Sequence, residues 1–351
     1  MAAPLTPDEL DDLVTTTLPL FKKHKITDIS LDLPEYISAK IMTEKNVVER
    51  GGRTLDFRVK TRNTGLARNT GMLSEDVTGI EDVMVSASVP WTKQTVNWSY
   101  SVDEPEFQSD AEEIVDILRV RDLDAMSDMA ELNEENLWSA PASSSEKRPM
   151  GIPFWLQKDA NTAANDGTLN GRDPSGFTGG RGGISSTTYS KWRNWTFRYS
   201  AYTTDDLVRK IKRALVFTKF IHPVPHPELG YSATQREIYT TYRVIEPLER
   251  LAETRNENLG NDVARYMGQV VVGGVPLRLA HYLEANDTND PLYGVDWSVF
   301  RPFVRKGANM RRMGPMQMPK QHDGKTIHYD TFMNYSCYNL RKCWVGSLAT
   351  T

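Results

Sequence analysis

Very little in this chain is chemically reactive. Only two cysteines, Cys337 and Cys343, occur in 351 residues, which excludes a disulfide-dense scaffold and a cysteine-rich zinc framework. Lys325 to Val345 reads as one strand-like run. Six positions apart in such a run, the two thiols stand roughly 20 Å apart, too far for a mutual disulfide. Buried free thiols are the expectation, as for a protein made in a reducing cytoplasm. No apolar run approaches the roughly 18 residues of a membrane helix, so no membrane partner is expected. Forty-two basic residues against forty-six acidic ones leave a net charge of −4. Without a cationic excess, gripping nucleic acid is not the main task. The opening Met1-Ala2-Ala3-Pro4 turns acidic at Asp8, Glu9, Asp11 and Asp12, unlike a secretory signal.

Catalytic and metal signatures are equally scarce. His222 and His226 have the i, i+4 spacing of a zinc-binding helix, but Pro223, Pro225 and Pro227 interleave them and forbid that helix. The two cysteines lack the paired spacing of a structural zinc site. There is no Gly-x-Ser-x-Gly elbow. The run Gly176 to Gly183 lacks the Gly-Lys-Ser/Thr ending of a phosphate loop. With its single arginine, Arg181, it reads as a flexible connector rather than an RNA-binding segment. No catalytic residue, cofactor or metal ligand is expected.

What is present is architectural. Residues 1–45 hold a short helical candidate, Pro7 to Leu18, then Pro19 and Pro34, and read as an arm. Leu55, Phe57 and Val59 alternate with polar residues, the period-2 signature of a half-buried strand. The return run is Val83, Val85, Ala87 and Val89, continued by Val96, Trp98 and Tyr100. The plain reading is a long β-hairpin, which on its own is only marginally stable and needs a neighbour. Residues 106–138 form the strongest helix candidate: Ser109 and Glu112 have capping-box spacing, and Ile114, Leu118, Ala125 and Met129 fall at helical intervals. Residues 140–183 are rich in Pro, Ser, Asn and Gly, and read as a mobile loop flanking a strand at Ile152 to Leu156. Thr204-Asp205-Asp206 starts a basic amphipathic helix, Leu207 to Phe220. Val270-Val271-Val272-Gly273-Gly274 suits a buried strand entering a turn. Strand and helix signals alternate over 204–318, the pattern of an α/β unit.

Several blocks, in order, carry a resemblance. Gly182-Gly183-Ile184 to Trp192-Arg193-Asn194 comes first, followed by Arg236 to Tyr242, Leu248 to Ala252 and Asn258 to Ala264. Then come Asp290-Pro291-Leu292-Tyr293-Gly294-Val295-Asp296-Trp297, Lys306-Gly307, Gln321-His322, and Asn334-Tyr335-Ser336-Cys337-Tyr338-Asn339-Leu340-Arg341-Lys342. Ser186 stands where a basic residue is common, and Leu340 and Lys342 vary the usual ending. Over residues 137–345 this order resembles the major capsid proteins of tailed double-stranded DNA bacteriophages.

The resemblance implies an α+β chain of the Hong Kong 97-like capsid fold. It implies an amino-terminal arm (1–45), an extended hairpin loop (46–104) and a peripheral domain (105–203) with a spine helix at about 106–138 and a Gly-rich loop at 160–183. An α/β axial domain (204–318) and a return to the peripheral domain (319–351) complete the plan. The implied function is structural: hexamers and pentamers of one chain close an icosahedral head, assembled in the host cytoplasm and ending in the virion. Partners would be further copies of itself, portal, scaffolding and decoration proteins, and packaged DNA touched weakly and non-specifically. No amino-terminal scaffolding extension is evident, so scaffolding is a separate protein or unnecessary. In this family the hairpin of one subunit lies across the peripheral domain of the next. The hairpin here is basic (Arg58, Lys60, Arg62, Arg68) and the spine helix acidic (Asp110, Glu113, Asp116, Asp124, Asp128), so these charges are expected to meet between subunits. A Lys–Asn cross-link at Lys60 or Lys93 is not expected, because it needs a desolvated amine beside a carboxylate and the sequence signals neither. The alternatives are an encapsulin-like compartment on the same fold and a soluble cytoplasmic hydrolase.

Overall fold

The computed structural model describes residues 30–43, 47–72, 79, 82–103, 111–220, 223, 235–253 and 270–350. The helical candidate Pro7 to Leu18, the cap at Ser109, His222 and His226, and the block Asn258 to Ala264 lie outside the described residues. The elements, in chain order, are α1 (Ile37–Thr43), β1 (Val48–Arg50), β2 (Thr54–Lys60), β3 (Met84–Pro90), β4 (Thr92–Ser101), α2 (Ala111–Trp138) and α3 (Ile152–Trp155). There follow β5 (Asn165–Thr168), β6 (Trp195–Tyr199), α4 (Arg209–Phe217), β7 (Arg236–Thr240), α5 (Tyr242–Glu253), β8 (Val271–Val272), β9 (Val275–Leu279) and α6 (His281–Asn286). The last are β10 (Leu292–Asp296), β11 (Phe300–Arg305), β12 (Arg311–Gln317), β13 (Gly324–Cys337) and β14 (Trp344–Leu348).

The chain forms two compact units. Of the described residues, the smaller takes those within Val96–Met129 and Arg312–His328, and the larger those within Glu35–Thr95, Ala130–Arg311 and Tyr329–Thr351. In the smaller unit α2 runs along β4: the Trp98 indole donates to Asp122 at 3.3 Å and Arg121 donates to the Ser99 carbonyl at 3.4 Å. Ala125 and Met129 are buried, while Leu123, Asp124, Met126 and Asp128 are exposed.

The larger unit holds a seven-stranded sheet in the order β5-β6-β14-β10-β7-β9-β8. Its β6, β10 and β14 are buried nearly throughout, as strands covered on both faces must be. Gly294 sits opposite Trp344 across the β10–β14 pair. A Cβ there would lie 2.1 Å from the indole, so only glycine admits the ring. Beside this sheet, β1, β11 and β13 pair in that order, β1 parallel and β13 antiparallel to β11. The aromatic core of Trp138, Trp155, Phe300, Phe303 and Tyr335 lies in this unit.

Several sequence expectations are overturned. The return strand of the hairpin does not continue to Tyr100. Pro90 cannot extend the ladder as a donor, the chain breaks at Trp91, and β4 pairs with β13 in another sheet. Ile152 to Trp155 is a helical turn, not a strand, with Pro153 in the first helical turn, where proline is tolerated. Val271 is 58% exposed, on a two-residue edge strand rather than a buried one. The run Lys325 to Val345 is two strands of different sheets, joined by the turn Leu340–Lys342 that Asn339 caps through the Arg341 amide. That reversal brings the Cys337 and Cys343 thiols within hydrogen-bonding reach of one another, instead of the roughly 20 Å of an extended run. Both are free and buried, and burial raises the Cys337 thiol well above its ordinary range.

Candidate assembly interface

The predicted hairpin exists as β2 and β3, in register from Thr54 opposite Pro90 to Lys60 opposite Met84. Alternation sends Leu55 and Val89 to one face and Arg58 and Lys60 to the other. The apolar face needs cover, and its own chain supplies it: Leu55, Ala87 and Val89 are buried in the main core. The Ser88 amide donates to the Gly182 carbonyl at 2.9 Å. Asn334 Nδ2 donates to the Pro90 carbonyl at 2.7 Å, and the Phe57 ring meets Tyr338 edge-on at 4.8 Å. The neighbour that the hairpin requires is therefore, at its base, the same subunit. Gly182 makes this approach possible: its φ is +64°, and a Cβ would stand 3.3 Å from the Ala87 methyl.

Beyond that base, residues 62–72 are exposed. Arg58 and Lys60 lie on the outward face of β2, and Arg62 and Arg68 are exposed beyond it. Arg62 Nε donates to the Asp82 carbonyl at 3.0 Å, tying the two legs together. Of the acids expected to meet them, Asp110 lies outside the described residues, as do the side chains of Glu113 and Asp116 within α2. Asp124 and Asp128 are exposed on that helix. Further along it, in the larger unit, the acids turn inward: Glu134 is buried and accepts from the Ser38 amide at 2.6 Å and the Trp138 indole at 2.7 Å. Sequence reasoning missed this role, because the buried Glu134 and the exposed Asp124 look alike in a helical acid run.

The Gly-rich run before Gly183 is not a loose connector. Arg181 is fully buried. Its Nη1 donates to the Trp155 carbonyl at 2.5 Å and to Asn194 Oδ1 at 2.9 Å, and its Nη2 to the carbonyls of Gly171 at 2.8 Å and Trp192 at 3.3 Å. Burial pulls the guanidinium down to about 10, a shift that nearby Asp173 opposes. One arginine thus adds side-chain ties to the turns the segment makes for itself, such as the Gly180 amide to the Phe177 carbonyl at 3.0 Å. The carboxylate absent from the sequence reading of Lys93 is also present: Asp330 stands 3.0 Å from Lys93 Nζ. The amine remains 47% exposed, however, and so is not desolvated.

Among the described residues no group of acids, histidines and cysteines could hold a metal ion, and no helix is long and apolar enough to cross a membrane. A cleft of about 320 Å³ is lined by Trp138, Leu156, Tyr282 and Tyr293. Its Lys158 and Asp287 neutralise one another at 2.5 Å.

No family model matches the chain, and no curated protein matches its sequence. Solved structures do match. A chain of the cyanophage A-1(L) capsid asymmetric unit superposes with a TM-score of 0.61 at 14% identity, covering 93% of this chain and 97% of that one. A chain from the capsid of Myoviridae phage XM1 gives 0.52 at 11%, covering 94% and 98%. One from Gordonia phage Cozz gives 0.51 at 13%, covering 100% and 97%. At such identities the likeness is one of fold. The chain has the Hong Kong 97-like capsid fold, α+β in class as the sequence blocks imply.

Proposed function

We propose that this chain is a major capsid protein, many copies of which tile hexamers and pentamers into an icosahedral phage head around double-stranded DNA. The observation that carries the reading is the fold likeness to capsid chains, which covers 93% of this chain in one comparison and all of it in another. The division into arm (1–45), extended loop (46–104), peripheral domain (105–203 and 319–351) and axial domain (204–318) belongs to the same reading. So do the partners: copies of itself first, then portal, scaffolding and decoration proteins. Its task is mechanical rather than catalytic, and its place is the virion after assembly in the host cytoplasm.

The hairpin cations Arg58, Lys60, Arg62 and Arg68 lie across the acidic face of the long helix in a neighbouring copy, reaching Asp110, Glu113, Asp116, Asp124 and Asp128. Each exposed pair contributes only about 0–1 kcal/mol, but a symmetric shell repeats it at every subunit contact. The basic outward face and the anchored apolar face divide the hairpin's work: one positions it, the other recognises.

The test is expression of the full chain alone, with sedimentation and negative-stain electron microscopy. Megadalton particles with hexameric and pentameric capsomers are expected. A small monodisperse oligomer under every salt condition tried would refute the reading. A shell that instead retains a host enzyme as cargo would favour the encapsulin-like alternative.

A further inference from the structure

One face of the five-stranded sheet carries an electrostatic imbalance. β1 and β11 run parallel with Arg50 directly beside Arg305, on strands about 4.8 Å apart. Adjacent like charges on one sheet face are destabilising. Lys306 follows at once, its amide donating to the Arg50 carbonyl at 3.0 Å. The same face holds two phenyl rings that seat cations: Arg50 lies 5.7 Å from the Phe303 ring centre and Arg305 5.6 Å from that of Phe332. Nearby, Lys93 and Arg311 share one buried carboxylate, Asp330, at 3.0 and 3.8 Å. Alternation sends Glu49 to the opposite face. Among the described residues no acid makes an ion pair with Arg50, Arg305 or Lys306, and all three are exposed.

A fold that presses two arginines together and props them on aromatic rings is held ready for an anion from outside. The counterpart is on the same chain. Helix α2 carries nine acids (112, 113, 116, 122, 124, 128, 131, 134 and 135) against Arg119 and Arg121. Of these, Asp124 and Asp128, one helical turn apart, are exposed. We propose that the Arg50–Arg305–Lys306 face receives the Asp124–Asp128 face of a second copy of this chain. The inference rests on the shell reading and adds a second basic surface, on the sheet itself, to the one on the hairpin.

Full-length Arg305→Gln/Lys306→Gln and Asp124→Asn/Asp128→Asn are compared with the wild-type chain and with the fourfold combination, in which this contact is neutral on both sides and the hairpin cations are unchanged. Circular dichroism monitors folding, and sedimentation with negative-stain microscopy monitors shells. Arg305→Gln/Lys306→Gln is expected to lower the particle fraction roughly tenfold, about 1.4 kcal/mol per tenfold, and to cost nothing further once Asp124 and Asp128 are neutral. Undiminished assembly by Arg305→Gln/Lys306→Gln overturns the inference. So does an equal loss in both backgrounds. Normal shells that merely lose co-purifying nucleic acid would assign the face to phosphates and likewise overturn it. Should the double variant unfold the subunit, Arg305→Gln alone replaces it; it is expected to lower the salt concentration at which shells come apart, and an unchanged salt tolerance refutes the proposal. Failure of the wild-type chain itself to assemble would strike the shell reading instead.

Discussion

Replacing Arg181 by lysine is the sharpest test of how the Gly-rich segment is held. Arginine serves four acceptors there: the carbonyls of Trp155, Gly171 and Trp192, and Asn194 Oδ1. Lysine keeps the charge but presents three donors from one point, and Nη1 and Nη2 serve acceptors on different segments. At least two acceptors lose their partner, and a buried orphan costs about 1–3 kcal/mol. The ammonium, more strongly hydrated than guanidinium, is also buried with less compensation. A loss of about 3–5 kcal/mol follows, a large share of the roughly 5–15 kcal/mol that holds a domain together. Urea unfolding of the purified subunit, followed by tryptophan fluorescence, would show an earlier midpoint with little change in slope. If the lysine variant unfolds within about 1 kcal/mol of the wild type, the planar fork is not what holds the segment.

Three further outcomes are expected. Gly182→Val forces a branched side chain into positive φ against the Ala87 methyl; it should destabilise by about 1–3 kcal/mol and quicken protease cleavage in the hairpin more than elsewhere, as limited proteolysis would show. For Asp206, burial works against the ionised form, but hydrogen bonds from Lys210 and from the Ser200 and Ala201 amides outweigh it and hold its pKa below 3.8. The resulting stability is present above the unfolded value and lost as pH falls through the lower folded one, so Asp206→Asn should be less stable at neutral pH and show a flatter acid limb below about pH 4. Charge reversal at Arg58 and Arg62 should lower shell yield and salt tolerance; shells that form as well as wild type would leave the hairpin charges as solvated surface.

The sequence made the hairpin's paired strands visible because period-2 alternation survives in Leu55-Asp56-Phe57-Arg58-Val59 and its partner. It could not reveal what covers the apolar face, since that depends on Gly182 and Asn334, far away in the chain. The long helix was legible for the same reason of periodicity. The helical turn Thr204–Val208 that leads into α4 was legible from its cap: the Thr203 hydroxyl accepts from the Asp206 amide at 3.2 Å, one residue earlier than the reading placed the start. Misreadings cluster where a local signal has two solutions. Ile152-Pro153-Phe154-Trp155 is apolar enough for a strand, but four residues cannot tell a strand from a buried turn of helix. Lys325 to Val345 is uniformly strand-like, and only the short turn at Leu340–Lys342 divides it between two sheets.

The same comparison shows which charges a sequence can offer for assembly. A solvated surface and a recognition surface have the same composition; they differ in whether the fold satisfies them internally. Glu134 and Arg181 look like surface charges in the sequence and are spent inside the subunit. Arg50 and Arg305 are brought side by side by a parallel strand pair, with no ion-pair partner among the described residues. Topology, not composition, thus sorts the charges: it uses some to close the core and concentrates others of one sign at an edge. An unmatched concentration raises the energy of the isolated chain, and under the proposed shell reading its relief by a sister copy makes association the lower state.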